Sequence, residues 1–124
     1  MADDLNRALE RFFDDRPEAR AIFDVAREAI AALGTAELQV TKSQIAFRHG
    51  RGFAWAWTPD RYLRGETAPL VLSISLNRAD ASPRWNEVVE VPGNHWMHHL
   101  ELQGASNIDD EVRRWLREAW DLAG

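Results

Sequence analysis

Apolar positions in the first third of the chain repeat at helical spacing. Between residues 5 and 12, and again between residues 22 and 33, they recur every three or four positions and so share one face of a helix. Pro17 stands where the first turn of a helix tolerates proline, and Gly34 supplies a stop. The pattern predicts two N-terminal helices, with a break at residues 14–17.

From residue 37 to residue 102 the apolar spacing changes to two, and β-branched and aromatic residues become frequent. Leu38 and Val40 occupy even positions, whereas Ile45 and Phe47 occupy odd ones. The alternation therefore slips, and a bulge or a break is expected near residues 42–43. This segment predicts a mostly antiparallel sheet of about five strands.

Two turns set the expected register of this sheet. At residues 49–52 the last glycine can adopt the left-handed conformation, which pairs Phe47 with Trp55 and Ile45 with Trp57. We therefore expect both tryptophans in the core rather than on a stacking surface. At residues 92–93 a proline–glycine pair suits a type II turn, which places Glu87 opposite His98.

The chain closes with a third predicted helix. Its apolar stripe runs from Ile108 through Val112, Trp115 and Leu116 to Ala119, and its first turn is acidic. Two helices, a run of strands and one helix form an α+β pattern, in which the helices cover one sheet face. We expect a single domain over residues 1–124.

Composition narrows the class of protein. The 124 residues include no cysteine, which excludes disulfides, a thiol nucleophile and a cysteine-ligated iron–sulfur cluster. The longest apolar stretches have five residues, far below the roughly 18 to 20 that span a bilayer. The first residues are acidic and do not resemble a secretory signal, so we expect a cytoplasmic protein with no membrane association.

Charge is distributed unevenly along the chain. The net charge is −5, yet residues 40–84 contain seven basic and three acidic residues. This is the part of the chain whose local field attracts an anion. Its basic residues are Lys42, Arg48, Arg51, Arg61, Arg64, Arg78 and Arg84.

The histidines near the end of the sheet do not form a metal site in an extended strand. His95 and His99 share one face but lie about 13 Å apart, and His98 points to the other face. We expect His98 to be a core histidine paired with Glu87. We find no Walker loop, nucleophile elbow or zinc-protease motif, and we expect no cofactor and no catalytic site.

The best candidate surface is the sheet face opposite the helices. The register above displays there Gln44, Ala46, Arg48, Ala54, Ala56, Thr58, Ser73, Ser75, Asn86, Met97, His99 and Glu101. Small central residues leave room for a ligand or partner, although an ordinary solvated face has the same pattern. The candidate ligand-binding residues on this face and in the basic loops are Lys42, Gln44, Arg48, Arg51, Ser73, Ser75, Arg84 and His99.

Several segments together resemble a known family. At residues 41–47, 53–55, 82–84, 98–102 and 109–120, the chain resembles the bacterial domain-of-unknown-function family numbered 5655. The resemblance implies no activity and assigns no catalytic residue. The order of elements is also similar to that of the small α+β domains of bacterial iron-chaperone-like proteins, although fold does not imply function.

We therefore expect a non-enzymatic binding domain that engages an anionic ligand, a nucleic acid or a protein through the open face and the basic loops. An iron- or metal-handling accessory protein that uses surface carboxylates and His95 or His99 is the alternative. A small enzyme is the third reading, with Glu87 and His98 as the pair to inspect. The small residues of the open face also make a homodimer plausible.

Overall fold

Two helices precede a sheet and a third helix follows it in the computed structural model, which describes residues 2–61 and 65–124. The helices are α1 (Ala2–Phe12), α2 (Pro17–Ala31) and α3 (Asp110–Ala123). The strands are β1 (Glu37–Val40), β2 (Ile45–His49), β3 (Arg51–Trp57), β4 (Leu70–Leu76), β5 (Glu87–Val91) and β6 (His95–Leu102). Short 3₁₀ turns lie at Pro59–Arg61 and Ala105–Asn107. Arg64 of the basic segment lies outside the described residues.

The six strands described form one antiparallel sheet in the order β1-β2-β3-β4-β6-β5, one strand more than we expected. The additional strand is β1, which has only four residues. A tight turn joins it to β2, because the Thr41 amide donates to the Gln44 carbonyl at 2.9 Å. The slip in alternation near residues 42–43 is this turn.

The three helices cover one face of the sheet, which confirms the α+β prediction. β4 runs through the centre of the core, where Leu70, Leu72 and Ile74 are fully buried. Phe23 of α2 and Leu116 of α3 are also fully buried in this layer. None of the helices in these two described ranges has both the length and the apolar character needed to cross a lipid bilayer.

The β2–β3 hairpin has a different register from the predicted one. Phe47 lies opposite Ala54 and Ile45 opposite Ala56, and the register shifts between Phe47 and Arg48. Phe53 is the extra residue of this β-bulge and is 1% exposed. The turn glycine with positive φ is Gly50, not Gly52. The predicted pairing of Phe47 with Trp55 is therefore wrong.

This register reverses the faces of β3. Ala54 and Ala56 point to the helices and are fully buried, and Thr58 just beyond the strand is buried too, so these three residues do not belong to the open face. Trp55 and Trp57 point away from the helices and are partly buried. The alanines are favoured on the helix side because α3 packs directly over β3, where small side chains allow close approach.

The β5–β6 register is also displaced by one residue. Three residues, not two, form the turn, and Gly93 and Asn94 have φ values of 98° and 64°. Glu87 therefore lies opposite His99, and Val88 lies opposite His98. Because side chains alternate along a strand, this shift moves Glu87 to the open face. The predicted Glu87–His98 pair does not form.

His98 is fully buried, as predicted, but its partners are backbone groups. The Asp80 amide donates to Nε2 at 3.0 Å, and Nδ1 lies 2.9 Å from the Trp96 carbonyl oxygen. Nε2 must accept and Nδ1 must donate, so the neutral ring satisfies both contacts. A second ring proton would point at the Asp80 amide, and burial lowers the pKa of His98 below its ordinary value of 6.5.

A tryptophan pair closes the core between the β4–β5 connection and α3. The ring centroids of Trp85 and Trp115 are 4.1 Å apart, and both side chains are less than a tenth exposed. The Trp85 indole donates to Asp80 Oδ2 at 2.8 Å. This contact joins the loop that caps His98 to the third helix.

Replacing Trp115 by alanine should lower the free energy of unfolding by about 3 to 5 kcal/mol, because the cavity left behind cannot be refilled. Urea denaturation followed by far-ultraviolet circular dichroism measures this change. Arg114→Ala is the matched control, since Arg114 is an exposed neighbour on the same helix and its loss should leave the midpoint nearly unchanged. Equal midpoints for the two variants would contradict this placement of Trp115.

The buried neutral His98 should make stability depend on pH. Its pKa is lower in the folded protein than in the unfolded chain, so the unfolded chain takes up the proton first as pH falls. The free energy of unfolding should therefore be constant above about pH 7 and should decrease below the ordinary histidine value. Urea titrations at several pH values test this.

The pKa of His99 is also lowered, so His99→Gln is the control, and part of the pH dependence should persist in it. Proton NMR of the His98 ring gives a direct check. A ring that titrates at or above its ordinary value would show that the assigned partners are incorrect.

Candidate functional site

A cleft of about 490 Å³ lies on the open face of the sheet. We call it the sheet-face cleft. Strands β3, β4 and β6 supply most of its wall, and the turn before β2 closes one end. Its lining residues are Ser43, Gln44, Trp55, Trp57, Ser73, Met97 and His99.

The centre of the cleft follows one row of cross-strand neighbours. Trp55 lies opposite Ser73, Ser73 lies opposite His99, and His99 lies opposite Glu87. Period-two alternation places all four side chains on the open face. The small Ser73 in the middle of the row leaves the depression between Trp55 and His99.

A chain of hydrogen bonds connects three of the lining side chains. The Trp57 indole donates from Nε1 to Ser73 Oγ at 3.0 Å, and Ser73 Oγ lies 2.7 Å from His99 Nδ1. An indole nitrogen can only donate, so Ser73 Oγ accepts from it and has its single hydroxyl proton available for His99 Nδ1. A hydroxyl can also accept a second hydrogen bond, so the distance fits either ring tautomer; we infer that Ser73 donates to Nδ1 and that the ring proton of His99 is on Nε2.

The environment of His99 favours this neutral ring. Burial lowers the pKa of His99, and the neighbouring Glu87 carboxylate opposes this shift only in part. The Trp57 ring meets His99 edge-on, with the ring centroids 6.2 Å apart and the planes at 87°. The cleft therefore presents a fixed imidazole N–H between aromatic surfaces.

Trp55 has its position fixed by a close contact with Gly52. A side-chain carbon added at Gly52 would lie 2.7 Å from Trp55 Cζ2, well inside van der Waals contact. The absence of a side chain at Gly52 lets the indole ring lie against the strand. Trp55 and Trp57 thus form two ordered aromatic surfaces on one strand.

This arrangement suits binding rather than nucleophilic catalysis. A serine beside a histidine is the pattern of an activated nucleophile, but Ser73 is only 3% exposed and already accepts a hydrogen bond from Trp57. Its hydroxyl orients the His99 ring. The aromatic surfaces can stack on a planar ligand, while His99 and the Gln44 amide supply directional hydrogen bonds.

The candidate residues of the open face and its hairpin come together in part. Gln44, Ser73 and His99 line the cleft, and Ser75 lies on the same face beside Met97 but outside the lining. Arg48 donates to the Gly50 carbonyl within its own hairpin at 3.4 Å. Arg51 contacts His95 Nε2 and the Leu122 carbonyl, each at 3.3 Å.

The two remaining candidates lie elsewhere. Arg84 contacts Asp109 at 3.0 Å and Glu111 at 2.9 Å, and the hydrogen bonds that it donates to Glu111 and then to Asp109 raise its pKa. It thereby joins the loop before β5 to the start of α3 and has its charge compensated. Lys42 lies on the other side of the turn from Gln44, in a second cavity.

Trp55 and Trp57 are the lining residues of the cleft that sequence reasoning placed incorrectly. Alternation showed that they share a face, but not which face the helices cover. The available signal was the small size of Ala54 and Ala56, since buried alanines permit close helix packing. A second signal was the indole N–H of Trp57, which needs a partner that an aliphatic core does not provide.

The histidine and carboxylate side chains of the described residues do not cluster into a metal site. Across residues 2–61 and 65–124, no three histidine, aspartate or glutamate side chains lie close enough together to hold a metal ion. His95 points toward Arg51, whereas His99 points toward Ser73.

Comparison with known families gives one match. The model of a domain of unknown function, DUF5655, matches residues 9–123, which is nearly the whole chain. The chain belongs to the DUF5655 family. No curated protein and no solved structure gives a significant match. The DUF5655 match includes both tryptophans of the cleft, Ser73 and His99, and its description names no activity.

The hydrogen-bond chain predicts the ring state of His99. At neutral pH, long-range proton–nitrogen NMR should show the proton on Nε2, because Ser73 donates to Nδ1. Ser73→Ala should change this pattern and shift the Trp57 indole signal. Ser75→Ala is the matched control on the same strand and face, and it should change neither. A proton on Nδ1 in the wild-type protein would reverse the assigned direction of the chain.

Proposed function

We propose that this protein is a non-enzymatic binding domain that takes a planar heteroaromatic ring, about the size of a nucleobase, in the sheet-face cleft. The observation that carries the proposal is the pair of ordered tryptophans beside the Ser73–His99 hydrogen bond. Aromatic surfaces are costly to expose to water, and a stacked ligand removes them from it.

The size and lining of the cleft support a small planar ligand. Its volume of about 490 Å³ falls within the range of small-molecule sites. Trp55, Trp57 and Met97 supply apolar contact, and the other lining residues, Ser43, Gln44, Ser73 and His99, supply polar groups. A ring stacked on tryptophan gains about 1 to 3 kcal/mol, and the His99 N–H then selects rings with an acceptor at their edge.

The charges of the open face favour a single ring over a long polyanion. Arg48 and Arg51 lie at the hairpin end of the sheet, while Glu87 and Glu101 lie on the β5–β6 side of the same face. Arg84 has its charge compensated by α3. A nucleic-acid strand needs a continuous row of cations along its backbone, and this mixed face supplies none among the described residues.

Two further expectations remain predictions beside this proposal. The first is a cytoplasmic location, which rests on the composition of the chain. The second is a homodimer through the open face. Ligand binding in the cleft requires neither of them.

Binding can be tested with uncharged nucleosides as probes. Adenosine, inosine and uridine should raise the melting temperature, since a ligand that binds only the folded state stabilises it, whereas ribose should not. Each tryptophan has its own indole signal in a proton–nitrogen NMR spectrum. The signals of Trp55 and Trp57 should shift most on addition of a nucleoside.

Trp55→Leu should weaken nucleoside binding about tenfold, because it removes one stacking surface. Trp96→Leu is the matched control, since Trp96 is also partly buried but lies on the helix side of β6. Loss of affinity in both variants, or in neither, would contradict the proposal. Salt-sensitive binding of an oligonucleotide, without binding of any nucleoside, would instead favour a nucleic-acid partner.

A further inference from the structure

A second cavity lies on the helix side of the same β1–β2 turn. Its volume is about 560 Å³, and helix α1, the end of β1 and the 3₁₀ turn at Pro59–Arg61 surround it. Among the described residues, its lining includes three basic side chains and no carboxylate. The lining residues are Ala8, Arg11, Phe12, Val40, Thr41, Lys42 and Arg61.

Arg61 forms the rigid part of this cavity. Nε donates to Thr58 Oγ1 at 2.8 Å, Nη1 donates to the Lys42 carbonyl at 2.7 Å, and Nη2 donates to the Phe12 carbonyl. The guanidinium carbon lies 4.5 Å from the centroid of the Phe12 ring. Each of these acceptors is neutral, and no carboxylate of the described residues lies within 4.0 Å of the guanidinium, so the contacts fix its position without compensating its charge.

The guanidinium of Arg61 also retains donors for a ligand. A guanidinium has five N–H groups, and the contacts to Thr58, Lys42 and Phe12 use one on each nitrogen. One N–H therefore remains on each terminal nitrogen. An N–H group on each terminal nitrogen can donate to an oxygen of a phosphoryl group or a carboxylate.

Lys42 adds a second charge from an ordered turn. Thr41 Oγ1 accepts hydrogen bonds from the amides of Ser43 and Gln44, at 3.3 Å and 3.2 Å. These bonds hold the turn, so the backbone of Lys42 has a defined place. The exposed ammonium group then reaches the cavity on a flexible stem.

Arg11 supplies the third charge at the rim. It also borders a shallow depression with Glu10 and Asp14, but no carboxylate of the described residues lies within 4.0 Å of its guanidinium. Arg16, Arg20, Arg78 and Arg84, by contrast, have carboxylate partners at 2.7 to 3.1 Å. Among 20 acidic residues in the chain, none compensates this cluster at contact distance in the part described.

We propose that the cavity formed by Arg11, Lys42 and Arg61 binds a phosphoryl anion. Three positive charges match a dianionic phosphate group better than a singly charged carboxylate. This site is separate from the sheet-face cleft and does not depend on it. The two cavities share only the turn at residues 41–44, with Lys42 on one side and Gln44 on the other.

Inorganic phosphate is the probe for this site. Addition of phosphate to the full-length protein at constant ionic strength should shift the backbone amide signals of residues 41–44 and of the end of α1. Lys42→Gln and Arg11→Gln should each raise the dissociation constant, Lys42→Gln by about tenfold, because each removes a charged partner. Acetate should bind more weakly than phosphate.

Arg7→Gln is the matched control, since Arg7 lies on the same helix but outside the cavity lining. It removes one positive charge, as the test variants do, and should leave phosphate affinity within about twofold. Arg61→Lys keeps the positive charge but loses the N–H donors on the two terminal nitrogens of the guanidinium, so it should weaken phosphate binding strongly. Lys42 and Arg11 are exposed, so their variants keep the test valid even if Arg61→Lys unfolds.

Three results would overturn the proposal. The first is an absence of phosphate binding at millimolar concentrations. The second is an equal loss of affinity in Arg7→Gln and Lys42→Gln, which would indicate a diffuse charge effect. The third is a set of amide shifts centred on another part of the chain. Loss of nucleoside binding in Trp55→Leu with phosphate binding unchanged would show that the two sites are independent.

Discussion

The β-bulge at Phe53 is the constraint on which the rest of this structure depends. It places one additional residue in β3, so that Phe53 joins the core while Ala54 and Ala56 remain on the helix side. The same displacement turns Trp55 and Trp57 to the open face. Without it, two indole rings would occupy the space into which α3 packs. Close helix packing and the aromatic cleft are therefore two consequences of one backbone irregularity.

A second stabilising feature is a polar network around Asp80, in the connection between β4 and β5. Asp80 accepts from the Trp85 indole, forms an ion pair with Arg78 and offers its amide to His98. Arg78 in turn contacts Glu118 of α3. Each buried side-chain nitrogen or oxygen atom of the described residues has a hydrogen-bond partner, and this network also links the loop before β5 to α3.

In the folded protein, ion pairs with distant acidic residues compensate part of the positive charge of residues 40–84. Arg78 and Arg84 are compensated by acidic residues that follow them by 25 to 40 positions in the sequence. Arg48 donates to the Gly50 carbonyl, and Arg51 contacts His95 Nε2 and the Leu122 carbonyl of α3. The charge that remains concentrated lies at Lys42 and Arg61, beside the turn that also closes the sheet-face cleft. We propose a ring site and a phosphate site on the two sides of this turn.

The sequence by itself determined the three helices, the α+β class and the alternation of β4 and β6, because each depends on local spacing. It therefore placed Ser73 and His99 on one face, together with Gln44 from the preceding turn. Only the tertiary structure decided which face of β3 is buried, because Phe53, Trp55 and Trp57 alternate with alanines and either face is apolar. A one-residue shift in each hairpin reversed β3 and β5. Such a shift is decided by the packing of distant helices, which no local pattern records.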